Sequence, residues 1–124
     1  MNKVSEVEEV KQYFKLWEKI NRIARRIDEI TEKEVTTIAS EHNIALSYFD
    51  SDIHLYRWDR EKDEIDVRVV VTVKIKHAEG IDFRHFCDAM LNRGYVFWFI
   101  IDNEYIKFLA TREKSEELIS EAAK

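Results

Sequence analysis

The sequence predicts an α+β fold in a single small domain. Three features support this: a long helical repeat at the start, an alternating apolar and polar strand in the middle, and a short capped helix before a final hairpin. The predicted order is α-β(β)-β-α-β-β-α, with a mostly antiparallel sheet of four to five strands packed by a long N-terminal helix and two shorter helices. We expect residues 1–124 to be one domain, because the chain contains no linker or low-complexity tract.

The first element is a helix predicted over about residues 5–41. Ser5 and Glu8 have the spacing of a capping box, and no residue breaks the helical pattern before Asn43. At 1.5 Å per residue this helix would reach roughly 50 Å, more than a domain of this size needs. We therefore expect it either to kink around residues 31–37 or to project. Its apolar residues recur every three or four positions and include Tyr13, Leu16, Ile20, Ile23, Ile27 and Ile30.

The sheet and a second helix are predicted over residues 44–110. Residues 44–58 are extended, and Asp50-Ser51-Asp52 has the composition of a turn, so this segment is one strand or two. After a charged loop, every second residue from Ile65 to Ile75 is apolar, which predicts a strand with one buried face.

Turn and capping residues mark the rest of the chain. Asp82 is placed to cap a short helix, and Gly94 to end it in a left-handed conformation. A hairpin around Asp102-Asn103 follows. Thr111 is then the predicted cap of a C-terminal helix over about residues 111–123.

Composition limits the function classes. The chain is 45% hydrophobic and 36% charged, with a formal net charge of −5, which favours a packed domain and argues against general affinity for nucleic acids or membranes. The N-terminus lacks a signal-peptide core, and Cys87 is the single cysteine, so we expect a cytoplasmic protein. The sequence is rich in Glu, Lys, Arg and Ile, which is a hint of a thermophilic source. The absence of proline argues against it, because thermophilic proteins often carry proline in their loops.

No catalytic residue, metal site or cofactor is predicted. Asp50, Asp52 and His54 would share one face of a continuous strand, as metal ligands require, but a turn at this point would separate them. His85 and Cys87 are two apart on a helix and point away from each other. The two glycines cannot form a phosphate-binding loop.

The apolar residues of the first helix cover more of its circumference than one sheet can bury. Either the C-terminal helix covers the remainder within the monomer, or a second subunit does, with Leu16, Ile20, Ile23 and Ile27 in the seam. The final hairpin is also apolar on both faces, so its second face must lie under a helix or meet a partner. Trp98, Tyr105 and Lys107 are the candidate contact residues on that face.

Three hypotheses for function follow. The first is a non-enzymatic protein–protein interaction or regulatory module, expected to be a homodimer or to bind another protein. The second is a nucleic-acid-binding protein that uses a basic stripe on the first helix, although interspersed glutamates favour an ordinary solvated face. The third is a degenerate nuclease-like domain, whose metal-binding position would hold Thr72 instead of a carboxylate. The basic stripe consists of Lys11, Lys15, Lys19, Arg22 and Arg26.

Overall fold

The computed structural model describes residues 7–124 and confirms the predicted α+β class and element order. Over this range the chain forms three helices and one four-stranded sheet. The helices are α1 (Glu8–Glu41), α2 (Gly80–Asn92) and α3 (Ser115–Ala123). The strands are β1 (Leu46–Asp59), β2 (Glu64–Lys76), β3 (Tyr95–Ile101) and β4 (Tyr105–Arg112).

The long helix α1 is unbroken over its 34 residues, which gives a length of about 51 Å. Its first residues cannot be compared with the predicted capping box, because Ser5 lies outside the described residues; Val7 occupies the N-cap position. Helix α1 ends as predicted, because Asn43 has a φ of 58°. The left-handed conformation there turns the chain into β1.

The sheet is antiparallel throughout and its strand order is β1-β2-β4-β3. In the hairpin, Phe97 pairs with Ala110 and Phe99 with Phe108, so the predicted division of its faces is confirmed. Of the two alternatives for residues 44–58, one strand or two, the structure has one strand without a turn at Asp50-Ser51-Asp52, since Ser51 pairs with Val71 within a continuous β1. Hydrogen bonding to the long strand β2 outweighs the local turn preference of these residues.

The core lies on one face of the sheet. There, β2 and β4 contribute alternate residues such as Val71, Val73 and Phe108, all fully buried. Val35 of α1 and Phe86 of α2 pack against them. In the described part of the chain the helix residues of both apolar clusters pack on this face, so the opposite face of the sheet, called the open face below, has no helical layer.

Two predicted helix starts are wrong by a few residues. Helix α2 begins at Gly80, and Asp82 lies in its first turn without a capping hydrogen bond. Thr111 does not cap the last helix, because it is part of β4 and pairs with both Val70 and Val96. Helix α3 begins instead at Ser115.

Candidate interaction surfaces

The apolar stripe of α1 is buried in one half of the helix and exposed in the other. Residues 11–20, called the projecting segment below, are all exposed. Leu16 is 57% exposed and Ile20 is 52% exposed, whereas Ile23 is half-buried and Ile27 is 1% exposed. The four residues follow one another at steps of four, three and four, so they share one helical face. The stripe therefore leaves the core between Ile23 and Ile20.

Ile27 is a core residue of the monomer, and placing it in a subunit seam was wrong. It packs with Val69 of β2 and with Leu118 and Ala122 of α3. The C-terminal helix α3 thus covers part of the stripe within the monomer, which is one of the two alternatives given for the remainder of the stripe. Helix α3 ends at Ala123, and the Arg26 guanidinium donates a 2.6 Å hydrogen bond to the carbonyl oxygen of Lys124. Helix α3 packs at the level of Ile27 and does not cover the projecting segment, whose residues are all exposed.

The projecting segment exposes other large side chains besides those of the stripe. Tyr13 is 62% exposed and packs edge-on against Phe14, with ring centroids 5.5 Å apart. Trp17 is 53% exposed. Aromatic and aliphatic side chains are therefore presented to solvent along about two helical turns, which is unusual for a helix of a monomeric protein.

The hairpin residues of the candidate interface lie on the open face. Trp98 is 54% exposed, Tyr105 is half-buried and Lys107 is exposed. Lys74 of β2 lies between two tyrosines of this face, with its Nζ 5.5 Å from the Tyr48 ring and 4.8 Å from the Tyr105 ring. Such cation–π contacts hold the lysine down on the sheet and leave the aromatic residues partly accessible.

The basic stripe is exposed, but it is not uniformly available. The Arg26 guanidinium donates to the Lys124 carbonyl, as described above. Glu18, within the projecting segment, is exposed beside the lysines. The mixture of signs weakens the field that a phosphate backbone would experience. The exposed members are Lys11, Lys15, Lys19, Arg22 and Arg26.

Asp50, Asp52 and His54 share the open face after all. They pair in sequence with Thr72, Val70 and Arg68 along an uninterrupted stretch of β1, and His54 Nε2 lies 3.7 Å from Asp52 Oδ2. A turn at residues 50–52 would have placed the three side chains apart, but β1 has no turn there. Among residues 7–124, however, no three His, Cys, Asp or Glu side chains come close enough together to hold a metal ion.

The sequence did not predict an ion cluster that forms around the Glu34 carboxylate. Glu34 of α1 is 9% exposed; its carboxylate contacts the guanidinium of Arg112 on β4 and lies 2.6 Å from Arg93 Nη2. The Tyr95 ring lies beside it, 5.1 Å from the Arg112 guanidinium carbon. One signal was available: Glu34 is four residues from both Ile30 and Ile38, so it occupies a position of the apolar stripe. A charged residue on an apolar stripe implies a buried partner.

Cys87 packs against the main core from α2. Burial, reinforced by the negative charge of Asp88, raises the pKa of its thiol to about 11. A thiol with this pKa is protonated near neutral pH and is a poor nucleophile.

Comparison with models of protein families, with curated proteins and with solved structures finds no match to this chain. Within residues 7–124, no helix combines the length and the apolar character that crossing a membrane requires.

Proposed function

We propose that this protein is a non-enzymatic interaction or regulatory module that associates with a second copy of itself through the projecting segment of α1. One observation carries the proposal: the apolar stripe that forms the core at Ile27 continues, uncovered, through Ile20 and Leu16. A second helix with the same stripe has the right shape and spacing to cover it.

The charges of α1 favour an antiparallel pair. The helix starts with Glu8 and Glu9, whereas Arg22 and Arg25 lie just beyond the other end of the projecting segment. If two helices cross in opposite directions near Leu16, the acidic start of each lies beside the arginines of the other. The opposed helix dipoles also attract in this arrangement.

The apolar area of the projecting segment comes close to the area that a specific contact buries. Five side chains of the projecting segment are each more than half exposed, and each offers on the order of 100 Å². Pairing two segments would remove about 1,000 Å² from water through these side chains alone, close to the lower limit of about 1,200 Å² for specific interfaces. The side chains are Tyr13, Phe14, Leu16, Trp17 and Ile20.

The test is the mass of the particle in solution, measured by light scattering after size exclusion for Ile20→Lys. We expect this variant to have half the mass of the wild-type particle and to remain folded, since Ile20 is 52% exposed in the monomer. A charge in the seam opposes association because it would lose its hydration there.

Two controls use the same helix and the same introduced charge. Thr36→Lys, at an exposed position outside the segment, should keep the wild-type mass. Ile27→Lys should unfold, because it buries an ammonium in the core. An Ile20→Lys particle as large as the wild type, or a wild type that is monomeric at high concentration, would contradict the proposal.

A further inference from the structure

The two edges of the sheet are built differently. The strand order makes β1 and β3 the edge strands. Strand β1 carries Asp50, Asp52 and Arg57, and two register irregularities interrupt its pairing. Charges and bulges of this kind protect an edge from pairing with another chain.

Strand β3 has none of these protective features. Its sequence from Tyr95 to Ile101 is Tyr-Val-Phe-Trp-Phe-Ile-Ile, and all seven residues pair with β4 in regular register. A strand that is apolar on both faces is typical of the middle of a sheet, not its edge. Its side chains become more exposed toward the end of the strand, where Phe99 is 41% and Ile101 is 62% exposed.

The outward-facing backbone groups of β3 can be assigned from its hydrogen bonds to β4. The amide of Glu113 donates to the Gly94 carbonyl at 2.8 Å, and the amide of Asp102 donates to the Tyr105 carbonyl at 3.1 Å. Since bonded pairs recur at every second residue of an antiparallel ladder, the even-numbered residues of β3 face β4. The N–H and C=O groups of Phe97 and Phe99 therefore point outward from the edge of the sheet, on the side of β3 opposite to β4.

From these features we propose that β3 pairs antiparallel with β3 of a second copy, so that two sheets join into one of eight strands. Overlap of residues 96–100 places the two-fold axis at Trp98. Phe97 of each copy then exchanges hydrogen bonds with Phe99 of the other.

The charges at the two ends of β3 favour antiparallel pairing with β3 of a second copy. Arg93, whose half-exposed guanidinium also contacts Glu34, precedes the strand, and Asp102 and Glu104 follow it. In the antiparallel pair the basic start of one strand lies beside the acidic end of the other. The pairing also places Phe97 of the second copy against Phe99, which is 41% exposed in the monomer.

This contact is independent of the one proposed for α1. With perpendicular, intersecting axes, two different two-fold contacts on one chain link four copies into a closed tetramer, and loss of either contact leaves a dimer of half the mass. Loss of either contact leaves the other, so each can be tested separately.

The first test is a site-specific disulfide, made in a Cys87→Ala background and oxidised with oxidised glutathione. In Trp98→Cys the two thiols would face each other in a non-hydrogen-bonded pair, with Cα atoms about 4.5 Å apart, within the range that a disulfide spans. Ile100→Cys is the matched control, because its side chain is similarly exposed, 52% against 54%, but its two copies would lie about 13 Å apart along the strands.

We expect the covalent dimer to form at least about tenfold faster in Trp98→Cys than in Ile100→Cys. Equal rates for the two, or no covalent dimer in either, would overturn the proposed pairing. Cross-linking at position 98 does not require the α1 contact, so it should persist in an Ile20→Lys background.

The second test changes the backbone without adding a cysteine. Phe99→Pro removes an outward N–H at a residue that is 41% exposed and keeps the ladder with β4, so it should halve the particle mass. Phe99→Ala keeps the N–H and should retain the mass. If both variants retain the wild-type mass, the edge of β3 is not a contact between copies.

Discussion

The hydroxyl oxygen of Ser115 accepts a 2.9 Å hydrogen bond from the backbone N–H of Val69. The last pair of residues between β2 and β4 at this end of the ladder is Val70 with Thr111, so Val69 has no partner residue on β4. The Ser115 side chain supplies the missing acceptor and extends the ladder by one hydrogen bond. The same hydroxyl donates a 2.6 Å hydrogen bond to the Arg112 carbonyl. Ser115 thus ties the start of α3 to both strands at a position with no solvent exposure.

Replacement of Ser115 by alanine should lower the free energy of unfolding by about 1–3 kcal/mol, because it leaves the buried Val69 amide without a partner. Urea denaturation measures this change. Ser120→Ala, at an exposed position of the same helix, should change the stability by less than about 0.5 kcal/mol. Equal effects of the two substitutions would show that the Ser115 bond contributes nothing specific.

The ion cluster at Glu34 leads to the second prediction. Glu34→Ala would leave the Arg112 guanidinium, whose side chain is 16% exposed, without its carboxylate. We expect a loss of about 3–5 kcal/mol in the free energy of unfolding, as for other buried ion pairs deprived of one partner.

The control for Glu34 is Glu32→Ala on the exposed side of α1. It removes the same charge and should be nearly neutral. An Arg112→Met substitution made together with Glu34→Ala should restore part of the lost stability, because no buried charge then remains. If the double variant is no more stable than Glu34→Ala, an unpaired Arg112 is not the cause of the loss.

The elements of this fold were predictable where one periodicity runs for many residues. Helix α1 and the alternation from Ile65 to Ile75 are of this kind. Errors occurred where a local preference conflicted with a long-range partner. The acidic turn residues at 50–52 are held in β1 by pairing with β2, and Thr111 continues β4 because it has strand partners on both sides. Local sequence carries no information about such partners.

The sequence predicted which residues share a face in the candidate surfaces, but not which of those residues are exposed. The spacing of Leu16, Ile20 and Ile27 places them on one helical face, but it cannot show that α3 covers Ile27 and leaves the other two exposed. Coverage depends on where a distant helix packs and where it ends. The edge position of β3 could not be predicted either, because it depends on the strand order of the whole sheet.

The third prediction concerns Tyr95, which is fully buried. Within the described residues no group completes a hydrogen bond of normal geometry with its hydroxyl, although the Glu34 carboxylate and the Arg112 guanidinium lie close enough to interact with it. A buried hydroxyl without a partner destabilises the folded state. Tyr95→Phe should therefore leave the free energy of unfolding at neutral pH unchanged or raise it, whereas Tyr95→Ala should lower it by about 3–5 kcal/mol through the cavity it creates. A loss of more than about 1 kcal/mol in Tyr95→Phe would mean that the hydroxyl is bonded.

The pH dependence of the same variant provides an independent measurement. Burial, reinforced by the negative charge of Glu34, raises the pKa of the Tyr95 hydroxyl above its ordinary value of 10.0. The unfolded chain therefore loses this proton at lower pH than the folded protein does, so the stability associated with Tyr95 is complete below pH 10 and falls as the pH rises above it. Thermal unfolding of the wild type between pH 9 and 11 should show a steeper loss of stability than that of Tyr95→Phe. Parallel curves for the two proteins would show that Tyr95 titrates as an exposed tyrosine does.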